Sequence, residues 1–149
     1  MLFHDGRDIA AVGGGDAAAE ALLALACATP TRLDAARHDR LVSGISHLPL
    51  LASVLLVESV TGLPGDEDRD WADARQLAAG GWRDTTRLAR GDTAMGAEIF
   101  ATNADRVAER LRAYRARLDA WLEVLEAPGG ADPAVIRERL EAARARLER

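Results

Sequence analysis

The chain has 149 residues, of which 48% are hydrophobic and 29% charged, the composition and size of one ordinary soluble globular domain. Its formal net charge of -5 argues against sequence-independent nucleic-acid binding, which needs a basic surface. No uninterrupted apolar run of about 18 residues occurs, which argues against a membrane span, and Met1 to Gly6 lacks the charged-then-apolar order of a signal peptide.

All 19 basic side chains are arginine, which excludes a P-loop lysine, a Schiff-base lysine and a lysine general base. The single cysteine, Cys27, cannot form an internal disulfide, and a cytoplasmic setting is the expectation.

In chain order, Arg7 to Val12 reads as a short strand. Gly13, Gly14 and Gly15 break it, and Asp16 reads as the N-cap of an Ala/Leu helix, Ala17 to Ala28. Thr31 to Asp34 reads as a second strand, which makes one small strand–helix–strand unit. From Ala35 onward the pattern is helical. Leu41, Val42, Ile45, Leu48, Leu51, Ala52, Leu55 and Leu56 recur at helical spacing through Val60, with a kink expected at Pro49. Thr61 to Asp70 reads as a loop, and Trp71 to Ala79 as a short helix ended by Gly80 and Gly81. Trp82 to Arg90 reads as a turn plus a short helical stretch. Asp92 reads as the cap of the longest helix, running to about Glu126, with Val107, Leu111, Tyr114, Leu118, Trp121 and Leu125 forming a seam. Asp132 caps a last helix with Pro133 at its first position, and Ile136, Leu140, Ala143 and Leu147 repeat the seam. These two helices are expected to form an antiparallel hairpin.

Four constellations could carry chemistry. Gly13 to Ala18 fits the crude dinucleotide fingerprint G-x-G-x-x-A, with Asp34 about twenty residues on, although no further strands follow; a Gly-rich turn is the plainer reading. His38 and Asp39 form an adjacent His–Asp pair of the kind that ligates metal in phosphohydrolases. Further ligands are short, and the plainer reading has both residues capping and anchoring the helix start. Ser46 and His47 are sequence neighbours that cannot face each other as nucleophile and base on a helix, but both can line a pocket at the Pro49 kink. Gly80 to Arg87 joins two glycines, which allow close backbone approach, to Arg87, which can grip a carboxylate. Asp84 is placed to hold Arg87 as an i, i+3 pair.

Taken together, the last two motifs resemble the C-terminal helical domain of the prephenate dehydrogenase family. His38 to Pro49 is close to that family's HD…SHLP helix, and Gly80 to Ala89 to its GGF[RK]D[FT]TR[IL]A segment. Gly91, Asp92, Met95 and Asn103 continue the pattern, and the likeness spans about Leu2 to Glu126. The resemblance implies a mainly α fold, a helical bundle like the 6-phosphogluconate dehydrogenase-like C-terminal domain. Residues 1–34 would be the remnant of a nucleotide-binding domain and 35–149 a helical dimerisation domain, so that Gly13 to Gly15 would be a turn. It implies oxidative decarboxylation of prephenate to 4-hydroxyphenylpyruvate, on the route to tyrosine. Arg87 matches the family's substrate-carboxylate arginine, Ser46 and Asp84 match pocket residues, Gly80 matches a glycine bordering the active site, and His47 belongs to the same substrate-binding set.

The family's NAD or NADP domain, with its catalytic histidine, has no counterpart in the likeness, so no catalytic, cofactor or metal residue is expected here, nor catalysis by this chain alone. Leu50 stands where the family often has a substrate-contacting histidine, and Gly96 where many members have tryptophan. The expected partners are a second copy of the chain through apolar helices, prephenate or a related aromatic acid, and a separate nucleotide-binding domain, with neither nucleic acid nor membrane. The alternative is a stand-alone, non-catalytic helical dimer that binds an aromatic effector. A metal phosphohydrolase built on His38 and Asp39 is the outside reading.

Overall fold

The computed structural model describes residues 2–4, 8–12, 25 and 29–148. Strands β1 (Leu2–His4), β2 (Asp8–Val12) and β3 (Thr29–Leu33) form a sheet in that order, β1 antiparallel and β3 parallel to β2. The two expected strands are β2 and β3, and β1 is an addition to the expectation. The expected helix Ala17 to Ala28, apart from helical Leu25, lies outside the described residues, as do the glycine run, Asp16 and Cys27.

Everything after β3 is helical apart from turns and one small hairpin. Asp34 is the N-cap of α1 (Ala35–Val42), its carboxylate accepting from the Arg37 N–H at 2.9 Å. His38 and Asp39 therefore do not cap the helix; they lie in its second turn, bonded to each other at 3.1 Å between Nδ1 and Oδ1. A π-helical turn, Ser43–His47, follows, and α2 runs Leu48–Thr61. The expected simple kink at Pro49 is thus a wider turn placed just before the proline. Proline has no N–H to give to Ile45 one turn back, and the Leu48 N–H instead donates to the Ser43 carbonyl five residues behind.

Gly62 ends α2 at φ 78°. The segment expected as a loop contains a hairpin, β4 (Gly62–Leu63) with β5 (Asp66–Glu67), turned by Pro64 and by Gly65 at φ 90°. A proline followed by a residue of positive φ is the chemistry of a tight turn. The helix expected over Trp71 to Ala79 is only α3 (Trp71–Ala74), and Gly80 and Gly81 open α4 (Gly80–Thr85) rather than end a helix. A 3₁₀ turn, Leu88–Arg90, precedes α5 (Thr93–Thr102), which Asp92 caps through the Met95 N–H at 2.9 Å. The long helix expected from Asp92 is broken at Asn103, with φ -122° and ψ 30°, and α6 (Ala104–Leu125) is the longest helix. An asparagine amide competes with helix geometry by bonding elsewhere.

The chain forms two compact units, Met1–Val107 and Ala108–Arg149. Among the described residues of the first, Val42 and Val107 are buried apolar side chains, beside buried Ser43, His47, Ser53, Thr86 and Asn103. A buried set this polar is held by hydrogen bonds, and among the described residues no buried side-chain nitrogen or oxygen lacks a partner. In the second unit, Asp132 caps α7 (Pro133–Leu147) by accepting from the Ala134 N–H at 2.8 Å. Arg139 of α7 donates to the Ala120 carbonyl of α6 at 2.7 Å, and its guanidinium lies 4.2 Å from the Trp121 ring centroid. Both ends of this contact are about the same number of residues from the connecting loop, as an antiparallel hairpin requires.

The expectation about apolar runs needs one addition. Taken as one helical stretch, Ala35–Thr61 is long and apolar enough to cross a membrane by length and composition. Scattered Ser and His residues interrupt the apolar run, but the Leu, Val and Ile around them keep its mean hydropathy high. Those polar residues have protein partners: Ser43 donates to the Arg40 carbonyl, His47 meets Asn103, and Ser53 accepts from Ala89. Such bonds fit a helix packed within its own unit.

Candidate functional site

The site is built on the π-helical turn and on the segment from Gly80 to Arg90. Wide turns of this kind are frequent at functional sites, because the extra residue turns side chains out of the regular helical register. Here His47 is buried and Ser46 is half-buried. His47 Nδ1 lies 3.2 Å from Asn103 Nδ2, and the same Nδ2 donates to the Asp39 carbonyl at 2.9 Å. Three chain segments thus meet at Asn103. Burial holds the His47 imidazolium below its ordinary range, the nearby Asp39 carboxylate opposes that effect, and His38 adds to it.

The second segment is fixed by hydroxyls. Thr86 Oγ1 donates to the Trp82 carbonyl and Thr85 Oγ1 to the Gly81 carbonyl, each at 2.7 Å, while Trp82 packs on Trp71 with ring centroids 5.4 Å apart. Thr86 is almost fully buried, and Arg87 beside it is exposed. The expected ion pair between Asp84 and Arg87 is absent: both side chains are exposed, and the pair is joined only through the backbone, Arg87 N–H to Asp84 carbonyl at 3.4 Å. The i, i+3 pairing assumed regular helix, but α4 ends at Thr85, before Arg87. The guanidinium of Arg87 is exposed and has no ion-pair partner among the described residues, an arrangement that suits an anion. Gly80, also exposed, begins α4, and a Cβ there would meet nothing within 4 Å.

Ser53 ties the two motifs together. Its Oγ, buried inside apolar α2, accepts from the Ala89 N–H at 3.0 Å, which fastens the turn after Arg87 to the helix after His47. Beside this tie lies a hollow of about 170 Å³, lined by Leu50, Val54, Leu88, Gly96 and Phe100 among others. Leu50 Cδ2 lies 3.8 Å from where a Cβ on Gly96 would stand. The two departures from the family pattern are therefore neighbours across one apolar space.

Sequence reasoning assigned no role to Ser53 or Thr86, and noted Asn103 only as part of a pattern. The available signals were a hydroxyl within an apolar helical run and an amide interrupting the expected long helix. Of the other constellations, Asp34 caps α1 through one carboxylate oxygen. The glycine run of the fingerprint lies outside the described residues. Among the described residues no group of three or more His, Cys, Asp or Glu side chains is placed to hold a metal ion.

The family described as prephenate dehydrogenase, dimerization domain, matches residues 34–137. A prephenate dehydrogenase of Lactococcus lactis subsp. cremoris is 35% identical over 88 residues, covering 58% of this chain and 23% of that protein. Arogenate dehydrogenase of Synechocystis superposes with a TM-score of 0.70 at 26% identity, over 89% of this chain and 46% of that one. Prephenate dehydrogenase from A. aeolicus, solved in complex with hydroxyphenyl propionate and NAD+, shares the fold at a TM-score of 0.65 and 21% identity, over 88% of this chain and 44% of that one. The chain thus matches about a quarter of its curated relative and under half of these solved chains.

Proposed function

The chain belongs to the prephenate dehydrogenase dimerization-domain family, and from that membership we propose that it is the dimerising, substrate-side part of a prephenate dehydrogenase. In this reading Arg87 grips a carboxylate of prephenate, and Ser46, His47, Asp84 and Gly80 border the same pocket. The reaction served is oxidative decarboxylation to 4-hydroxyphenylpyruvate in the cytoplasm. NAD or NADP and the catalytic base are supplied by a nucleotide-binding part outside these residues, so this chain binds but does not turn over substrate alone. In the division proposed, residues 1–34 belong with that nucleotide-binding part and 35–149 with the dimerising part.

The observation that carries the reading is the Ser53–Ala89 bond. It joins the helix that follows the first motif to the end of the second, beside Arg87, which is exposed and has no ion-pair partner among the described residues. Calorimetric titration of the chain with prephenate tests it. Binding is expected, with a loss of roughly tenfold or more in Arg87→Ala, the cost of one charge-assisted contact. Equal affinity in wild type and Arg87→Ala would sink it.

A second reading has its own support. Leu50 and Gly96 replace a polar and a large aromatic side chain on facing positions, leaving an apolar hollow. A stand-alone, non-catalytic dimer that takes an aromatic effector there would bind tyrosine independently of Arg87.

A further inference from the structure

Asn103 separates two helices, and its side chain is buried. Its Nδ2 faces the Asp39 carbonyl oxygen at 2.9 Å and His47 Nδ1 at 3.2 Å. A carbonyl oxygen can only accept, so the atom against it is the amide NH2 and not the amide oxygen. The orientation of an amide is often ambiguous; here the Asp39 carbonyl decides it. The second N–H of the same nitrogen is then directed at Nδ1, which accepts and carries no proton. A neutral imidazole with a bare Nδ1 has its proton on Nε2. Among the described residues Nε2 has no partner and no buried side-chain nitrogen or oxygen lacks one, so Nε2 is open to the surface.

We propose that Asn103 is a positioning residue: it holds His47 as the neutral Nε2–H tautomer, so that the ring offers one uncharged donor to an oxygen acceptor of the bound ligand. The charged groups that act on the ring are Asp39, which favours the imidazolium, and His38, which opposes it; burial outweighs the carboxylate. A proton on Nδ1 would set N–H against N–H and break the link to Asn103. The tautomer follows from the geometry alone. Only the identity of the acceptor rests on the proposed function.

Nitrogen-15 spectra of the histidine rings in the full chain test this. In wild type at neutral pH, His47 is expected with a protonated Nε2 and a bare Nδ1. In Asn103→Asp the new carboxylate accepts from Nδ1–H, so the proton moves to Nδ1 and the titration midpoint rises by about one pH unit or more. A protonated Nδ1 in wild type, or an unchanged tautomer and midpoint in a folded Asn103→Asp protein, would overturn the proposal. If that variant does not fold, the wild-type spectrum still decides. Prephenate is the ligand probe: at a pH above the raised midpoint, where the neutral ring has no Nε2–H, a folded Asn103→Asp protein is expected to bind it at least about tenfold more weakly than wild type. If the tautomers behave as stated and wild type does not bind prephenate, the positioning role stands and the substrate assignment falls.

Discussion

Ser53 is one hydroxyl inside an apolar helix, and it accepts a backbone N–H from thirty-six residues away. Removing it leaves the Ala89 donor unpaired in a half-buried place, so Ser53→Ala is expected to cost about 1–3 kcal/mol in urea unfolding. It should also weaken ligand binding, because the turn carrying Arg87 is released; unchanged stability and binding would show the tie to be idle. His47 supplies a pH dependence. Burial lowers its folded-state pKa from the ordinary 6.5. Below that value the unfolded chain takes up a proton that the folded chain resists. Stability is therefore complete above about pH 6.5 and is lost as the pH falls through the window beneath it. His47→Gln is expected to flatten the fall in unfolding midpoint between about pH 7 and pH 5, and equal slopes in the two proteins would contradict this. Arg87 and His47 stood out in the sequence because their types carry chemistry. Ser53 and Asn103 did not, since their importance comes from partners 36, 56 and 64 residues away that no local pattern reveals.

Among the elements, helices were legible where apolar spacing and caps agreed. Asp92 and Asp132 cap where expected because a carboxylate just before a helix meets unpaired N–H groups. Helix ends set by tertiary bonds were not legible. The break at Asn103 and the wide turn before Pro49 each trade a regular helical bond for another arrangement. The hairpin after α2 was hidden by its brevity, yet its glycine is demanding. A Cβ on Gly62 would collide with the Asp66 carbonyl oxygen and the Asp68 nitrogen, at a φ that other residues rarely adopt. Gly62→Ala is therefore expected to destabilise the protein by more than about 1 kcal/mol, read from the thermal midpoint. An unchanged midpoint would mean that the hairpin contributes little.

At the scale of the molecule, much apolar surface is left uncovered by the chain itself. Ile45 is 78% exposed, and on α6 and α7 Leu118 is 48%, Leu122 51% and Leu140 58% exposed. Of the expected seam residues Val107 is buried, while Leu118, Leu125, Leu140 and Leu147 are exposed, so the seams do not close within the chain as the spacing suggested. Side chains this open fit a surface that a second copy covers, by a symmetric interface in the commonest case. Since Leu118 is already half in water, a charge there should spare the fold and break the pair. The central proposal, that this chain is the dimerising part of a longer enzyme, is tested most directly by sedimentation equilibrium at micromolar concentration. The account predicts twice the chain mass of 15.9 kDa for wild type and a folded species of single mass for Leu118→Asp. A wild-type protein that sediments as a monomer would contradict it.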